Sequence, residues 1–537
     1  MVTSISIPMQ YGSTVQTPSL EGDPEVKRLR STHPDWAVYS PQWSFYLSAY
    51  EGGLSFTKPS NLFKHSRENQ EDYNARIERI HNMNYCEPLV DFFTNFIFSE
   101  SIDRNGGTNK DFYHGFTENV NRKGDGIDDF MREVSDDSQI FGMSYILVDA
   151  PRIDSVLTKA DEKAMGISPY WVLIKPLEVI DWVVDEFDTF QYVKRKQTAV
   201  EMFKGVRSNI ETYTEFYPDR FVISKVDVSD INKESVVSNE TVPNALNMIP
   251  ILVARYKRSK EVPYMGLSFL RDFSKNNREI MNLTSLLQEF LYRQAFNILA
   301  KESDSGQPEN EQSEGEFGSA NLINVPKGAE FPRYITPPAD PAKFIQDERG
   351  RIKAEMFSRA AQDAVNELFN GEKSSGFSQA QSFSKTVPFI SSRADMLERV
   401  ENQLMGLTMK LLGKTWDGKI KYKDNYAITN LQDALTQFLI LVKDLQVPSE
   451  SFVRAEFARL IHEYDGKMPE DVLVKIHKEI DDFSFTTWAA TQKDALVGKA
   501  STSPGDQQKP KGTGTMAEVA AEAKGPSTGA TKKANGG

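Results

Sequence analysis

The chain has 537 residues, 39% hydrophobic and 11% aromatic, enough for a sizeable core and several domains. Its formal net charge of −13 excludes general wrapping of nucleic acid by a basic surface, but not a channel that nucleic acid crosses without being gripped. A single cysteine, Cys86, excludes an intrachain disulfide and reads as a buried core thiol.

Residues 1–13 lack a basic stretch followed by an apolar core, so no signal peptide is expected. The apolar runs are too short to cross a bilayer, and the chain reads as a soluble protein made in the cytoplasm. Residues 1–60 read as an irregular arm with one short helix. Residues 69–99 read as a long helix or a helix pair, broken near Pro88. A further helix is expected over 127–141, stopped by Gly142, with Asp128, Asp129, Arg132, Asp136 and Asp137 on its exposed face. Strands follow at 144–149, 170–174, 179–184, 190–197, 211–217, 221–226 and 249–255, rich in β-branched and aromatic residues. Residues 61–262 thus form an α+β domain.

A long amphipathic helix is expected over 267–295, where Leu270, Phe273, Ile280, Leu283, Leu287 and Phe290 recur at helical spacing. Short strands at 296–300, 321–325 and 331–335 flank a polar loop, 301–320. That loop carries six acids, Glu302, Asp304, Glu309, Glu311, Glu314 and Glu316, against one lysine. Asp340-Pro341 suits a helix start. Ile352, Met356, Ala360, Ala364 and Leu368 then repeat every four residues to 369, with Gly350 as a point of kinking. Residues 370–385 form a Gly/Ser-rich loop, and a third long helix covers 388–412. A strand at 419–428 precedes three helices, 431–445, 449–464 and 469–483. The stretch 498–537 is disordered by composition and basic, with six lysines against three acids.

Motifs for chemistry are missing. There is no Gly-x-x-x-x-Gly-Lys-Ser/Thr; the nearest stretch, residues 371–376, has the wrong spacing and follows a helix. No His-x-x-x-His pair with an intervening glutamate occurs, and the acidic loop lacks the Asp-x-Asp-x-Asp-Gly order of a calcium loop. The acidic doublets 128–129, 136–137 and 481–482 read as solvated helix faces rather than nuclease metal ligands. No catalytic residue, cofactor or metal is expected.

The order helix, short hairpin, helix, loop, helix resembles the portal (head–tail connector) proteins of tailed bacteriophages. Local stretches are similar too: Ile140-Phe-Gly-Met-Ser-Tyr-Ile-Leu-Val-Asp149, Pro169-Tyr-Trp, Val179-Ile-Asp-Trp182, and Ile249-Pro-Ile ahead of Gly266-Leu-Ser. The similarity covers roughly residues 65–485 and lies in the order of elements rather than in one motif. It implies an α+β subunit divided into an N-terminal arm (1–60), a wing (61–262), stem helix 1 (263–295), a clip (296–340) and stem helix 2 (341–369). A tunnel loop (370–385), a tunnel helix with the return to the wing (386–428), a helical crown (429–490) and the tail (491–537) follow.

The resemblance further implies a cyclic homododecamer that passes double-stranded DNA without reading its sequence. Lys373, Ser374, Ser375, Gln379 and Lys385 of the tunnel loop would face the channel. The six acids of the clip would dock the terminase large subunit and then a head–tail adaptor. The major capsid and scaffolding proteins are further partners, and a virion vertex is the location; no membrane is involved. A packaging enzyme, such as a terminase-like ATPase or nuclease, and another minor capsid or scaffold protein are the alternatives.

Overall fold

The computed structural model describes residues 23–99, 101–151, 168–203, 205–229, 234–244, 246–295, 298–300, 333–335, 340–360, 362, 384–423, 426, 451, 475 and 478. The chain divides into two compact units, residues 1–428 and 429–537. Beyond residue 426 only three positions are described, so the helices expected at 431–445, 449–464 and 469–483 and the basic tail lie outside the described residues, as does the strand expected at 321–325.

Helices α1 (Pro24–Arg30), α2 (Pro34–Glu51) and α3 (Gly53–Phe56) open the first unit. Proline begins both longer helices, each behind a capping side chain: Asp23 accepts from the Glu25 N–H, and His33 from the Asp35 N–H. This corrects, from residue 23 on, the irregular arm expected for residues 1–60; residues 1–22 lie outside the described residues. From residue 24 the segment is largely helical, and Trp43, Tyr46 and Ala49 of α2 are buried in the main core. Helix α2 has no clean polar face, because it packs against several helices at once, and Pro41 sits inside it. Helix α1 covers one face of a sheet through Val26 and Leu29, which meet Ile180, Tyr213 and Val226. Arg28 and Arg30 clasp the same sheet through Glu215 (2.8 Å) and Glu234 (2.7 Å).

The expected pair at 69–99 is α4 (Gln70–Arg79) and α5 (Cys86–Ile97), with Pro88 in the first turn of α5, where its missing N–H costs nothing. Cys86 is fully buried, and burial pushes its thiol pKa up, as a core thiol should behave. Strand β1 (Asp103–Asn105), α6 (Lys110–Thr117) and α7 (Ile127–Phe141) follow.

Strand β2 (Met143–Asp149) is the centre of a three-stranded antiparallel sheet, between β3 (Tyr170–Ile174) and a later strand, β9. It is buried on both faces. Met143, Tyr145 and Leu147 enter the main core, while Ile146 and Val148 enter a second core with Trp171. Next, β4 (Val179–Val184), β5 (Phe190–Phe203), β6 (Val206–Phe216), β7 (Arg220–Asp227) and β8 (Ser235–Pro243) form an antiparallel meander in sequence order. Strands β5 and β6 run well past the expected 190–197 and 211–217. Strand β8 was not expected; its side chains are mostly exposed, so it carries no alternation to read. Strand β9 (Ile251–Arg255) completes the first sheet.

Two long helices follow, α8 (Leu270–Ala295) and α9 (Asp340–Arg359), of 26 and 20 residues. At 1.5 Å per residue they span roughly 39 and 30 Å. Strands β10 (Ile298–Ala300) and β11 (Arg333–Ile335) join them, antiparallel, with Ile298 opposite Ile335. Helix α10 (Val387–Leu411) leads to β12 (Lys419–Lys421), a shorter strand than the expected 419–428, which pairs with β1. Arg104 of β1 ties this return together, reaching Glu401 of α10 (2.7 Å) and Asp128 of α7 (2.7 Å).

One expectation about α7 is corrected. Asp128 and Asp129 are exposed, but Asp137 is buried. It follows Val134 by three residues and Phe130 by seven, so it falls on the core stripe. Burial pushes its carboxyl up to about 7; Lys175 draws it back, while Glu133, Asp136 and Glu178 push it further up. Burial likewise raises Asp136 to about 6, against the hydrogen bond donated by Thr94 and with Asp91 and Glu133 adding to the rise. An unfolded aspartate titrates near 4, roughly. Between that value and about 7 the folded state holds the extra proton, so stability falls as pH rises through the window, on the order of 4 kcal/mol for Asp137. Melting curves at about pH 5 and about pH 8 should show this fall in the wild type and most of it removed in Asp137→Asn. An equal fall in both proteins would put its cause elsewhere.

Candidate assembly site

The helices α8 and α9 pack on each other and divide into two halves. The half near the sheet is core: Leu270, Phe273, Ile280 and Met281 of α8, and Ile352, Met356 and Phe357 of α9. The far half, leading to β10 and β11, is largely open. Leu286, Leu291 and Tyr292 of α8 and Phe344 of α9 are exposed, Leu291 by 53% and Phe344 by 73%. Helix α4 braces part of this half. Arg76 is buried between Glu68 (2.8 Å) and Ser285 (3.2 Å), and Arg79 stacks on Tyr292 at 4.3 Å.

The near half is locked to the sheet by a backbone crossing. Gly142 ends α7 in the left-handed region, φ 89°. Its carbonyl accepts from the Tyr256 N–H at 3.0 Å, which fixes its position. Gly266 passes directly over it; a Cβ on Gly266 would fall inside that carbonyl, and one on Gly142 would lie 2.6 Å from the Ser268 nitrogen. The open carbonyls at the α7 terminus are then taken by the start of α8. Phe269 N–H donates to Gln139 O (2.9 Å) and Ser268 Oγ to Ile140 O (2.6 Å).

Helix α10 is pinned at the end of its second turn. Arg393 is buried with its guanidinium 3.4 Å from the Phe93 ring centroid and near Tyr256 and Phe269. Its Nη2 donates to the Tyr256 hydroxyl (3.0 Å), and burial pushes its pKa down to about 10. Further along, Trp171 Nε1 donates to Thr408 Oγ1 at 2.8 Å. An outward stripe of α10, including Arg399 and Lys410, forms a groove with β9 and the residues after it, where Arg255, Lys257 and Arg258 lie. Asp188 is the acid there, 2.7 Å from Arg258. This concentration of cations on an acidic chain is not legible in the sequence, because Arg255, Lys257 and Arg258 are brought to Arg399 and Lys410 only by the fold, and no local pattern reports it.

Of the residues assigned to the channel and to docking, Lys385 alone is described. It is exposed, two residues before α10. Lys373, Ser374, Ser375 and Gln379 lie outside the described residues, as do Glu302, Asp304, Glu309, Glu311, Glu314 and Glu316. The described strands β10 and β11 bring together the chain on either side of residues 301–332, the span that contains the acidic segment. Among the described residues no group of three His, Cys, Asp or Glu side chains is placed to hold a metal ion, and no helix is long and apolar enough to cross a membrane.

No family model and no curated protein matches the chain. Among solved structures it is similar to a chain in the virion of a native gene transfer agent particle, with 10% identity and a TM-score of 0.41, covering 76% of this chain and 97% of that one. It is similar to the same degree to a chain in the neck of an empty particle of that agent, computed with C6 symmetry, covering 75% of this chain and 98% of that one.

Proposed function

We propose that the chain is a structural subunit of a portal-like ring, a channel for double-stranded DNA at one vertex of a capsid. The observation that carries this reading is the open half of α8 and α9. Two helices are rigidly rooted in a folded domain and then hold Leu286, Leu291 and Phe344 in water. A neighbour in a closed ring covers such side chains and turns the struts into a wall.

In this reading the chain conducts DNA passively, and a separate packaging ATPase drives it. The acids from Glu302 to Glu316 select the terminase and later the head–tail adaptor by charge. The loop with Lys373, Ser374, Ser375, Gln379 and Lys385 follows the duplex at the narrowest point and touches phosphates without reading bases.

Electron microscopy of the purified full-length protein tests the reading. Closed rings with a central hole are expected; a monomer at every concentration overturns it. Deletion of residues 371–385 should leave ring assembly intact while packaged particles lose their DNA. Normal genome retention in that deletion would remove the role given to the loop and leave the ring standing.

A further inference from the structure

A cavity of about 400 Å³ lies between α2, α7 and the turn joining β3 to β4. Asp137 lines it. This side chain is nine-tenths buried, and its Oδ2 has no hydrogen-bond partner. Its neighbour Asp136 is differently placed, since Thr94 Oγ1 donates to it at 2.6 Å. Below about pH 7 the proton keeps this side chain neutral; once ionised, a buried carboxylate without a partner costs more than the roughly 1–3 kcal/mol of a neutral group, so the group that would satisfy it is a cation.

The rest of the lining says what kind of group. Glu51 comes from α2, Glu133 and Asp136 from α7, and Glu178 from the β3–β4 turn. Glu178 is already paired with Arg195 (2.7 Å), so Glu51, Glu133, Asp136 and Asp137 stand against Lys123 and Lys175, and the cavity attracts positive charge. Lys175 lies close enough to act on Asp137 through space, yet makes no ion pair with it among the described residues. The inner wall is apolar, formed by Leu47, Ile140 and Trp171. A hard divalent ion needs six or more oxygen ligands, and no metal-binding cluster occurs among the described residues. An apolar wall ending in one carboxylate suits a cation on a carbon stem.

We infer that this cavity binds an alkylammonium or guanidinium group, with the Asp137 carboxylate as its counter-ion and its stem against Trp171 and Ile140. The group comes either from a free polyamine-type molecule or from a lysine or arginine of a second copy of the chain. The inference does not depend on the ring reading, since the cavity is formed within one chain.

Two measurements on the full chain distinguish the sources. The first titrates 1,4-diaminobutane into wild type and Asp137→Asn by calorimetry at low salt. The second follows self-association of both proteins by particle mass. A free cation as ligand predicts saturable diamine binding that weakens at least tenfold in the variant and strengthens from pH 6 to pH 8 in the wild type. A side chain as ligand predicts self-association weakened at least tenfold in the variant, with no diamine binding. If neither diamine affinity nor association depends on Asp137, the inference is overturned. Should Asp137→Asn fail to fold, Glu133→Gln at the cavity mouth replaces it, with a two- to threefold loss expected in the same readings and no loss overturning the inference.

Discussion

Gly266→Ala should destabilise the first unit by about 3 kcal/mol or more, toward the upper end of what overpacking costs in a fixed environment. The new methyl would fall inside the Gly142 carbonyl, and that carbonyl cannot retreat, because Tyr256 holds it in the sheet. Gly142→Ala should be comparably harmful. It adds a left-handed backbone penalty of about 1 kcal/mol to a close approach on residues 266–268. Gly350→Ala is the contrasting case. Its Cβ would meet nothing within 4 Å, so alanine should gain about 0.5–1 kcal/mol through helix propensity alone. Denaturant unfolding of the three variants separates these outcomes. Equal stability for Gly266→Ala and wild type would mean that α8 is not locked to the sheet as described.

The largest effect on assembly is expected from charge on the open half of the struts. Leu291→Glu combined with Phe344→Glu should leave the folded chain within about 0.5 kcal/mol of wild type, because both sites face water. Within a ring, each carboxylate would be buried without a partner, at a cost of several kcal/mol per subunit contact. A cost of about 3 kcal/mol is roughly a hundredfold in association, and a closed ring repeats it at every contact. Monomers at concentrations where wild type forms rings are the expected result, read by particle mass and by microscopy. Rings of normal yield would show that these side chains lie outside the interface.

Much of the fold is readable where one face of an element is core. Helix α7 and strands β3 and β4 end where periodicity and turn residues place them, because Phe130, Val134 and Phe141 recur at helical spacing up to Gly142, and both strands are apolar runs closed by turn residues. Reading fails at two extremes. Helix α2 is contacted on several sides and shows aromatics all round; β8 is exposed almost throughout and shows none. Asp137 was assigned to solvent because of its charge, although its position on the 130–134–137 stripe placed it inside. The basic groove depends on two distant segments meeting, which no local pattern reports. The candidate channel and docking residues are legible as composition, a Ser/Gly-rich loop and an acidic run, and of these only Lys385 acquires a structural position.

The pairing of β10 with β11 has a consequence for how the acidic segment can vary. Three residue pairs clamp its two ends side by side, so the span between the helices is set by the clamp and not by the intervening chain. Doubling the length of what lies between adds only about 0.6 kcal/mol of closure entropy. Sequences of other length and composition, epitope tags included, can therefore be exchanged between residues 300 and 333 while the pairing of β10 with β11 stays as it is.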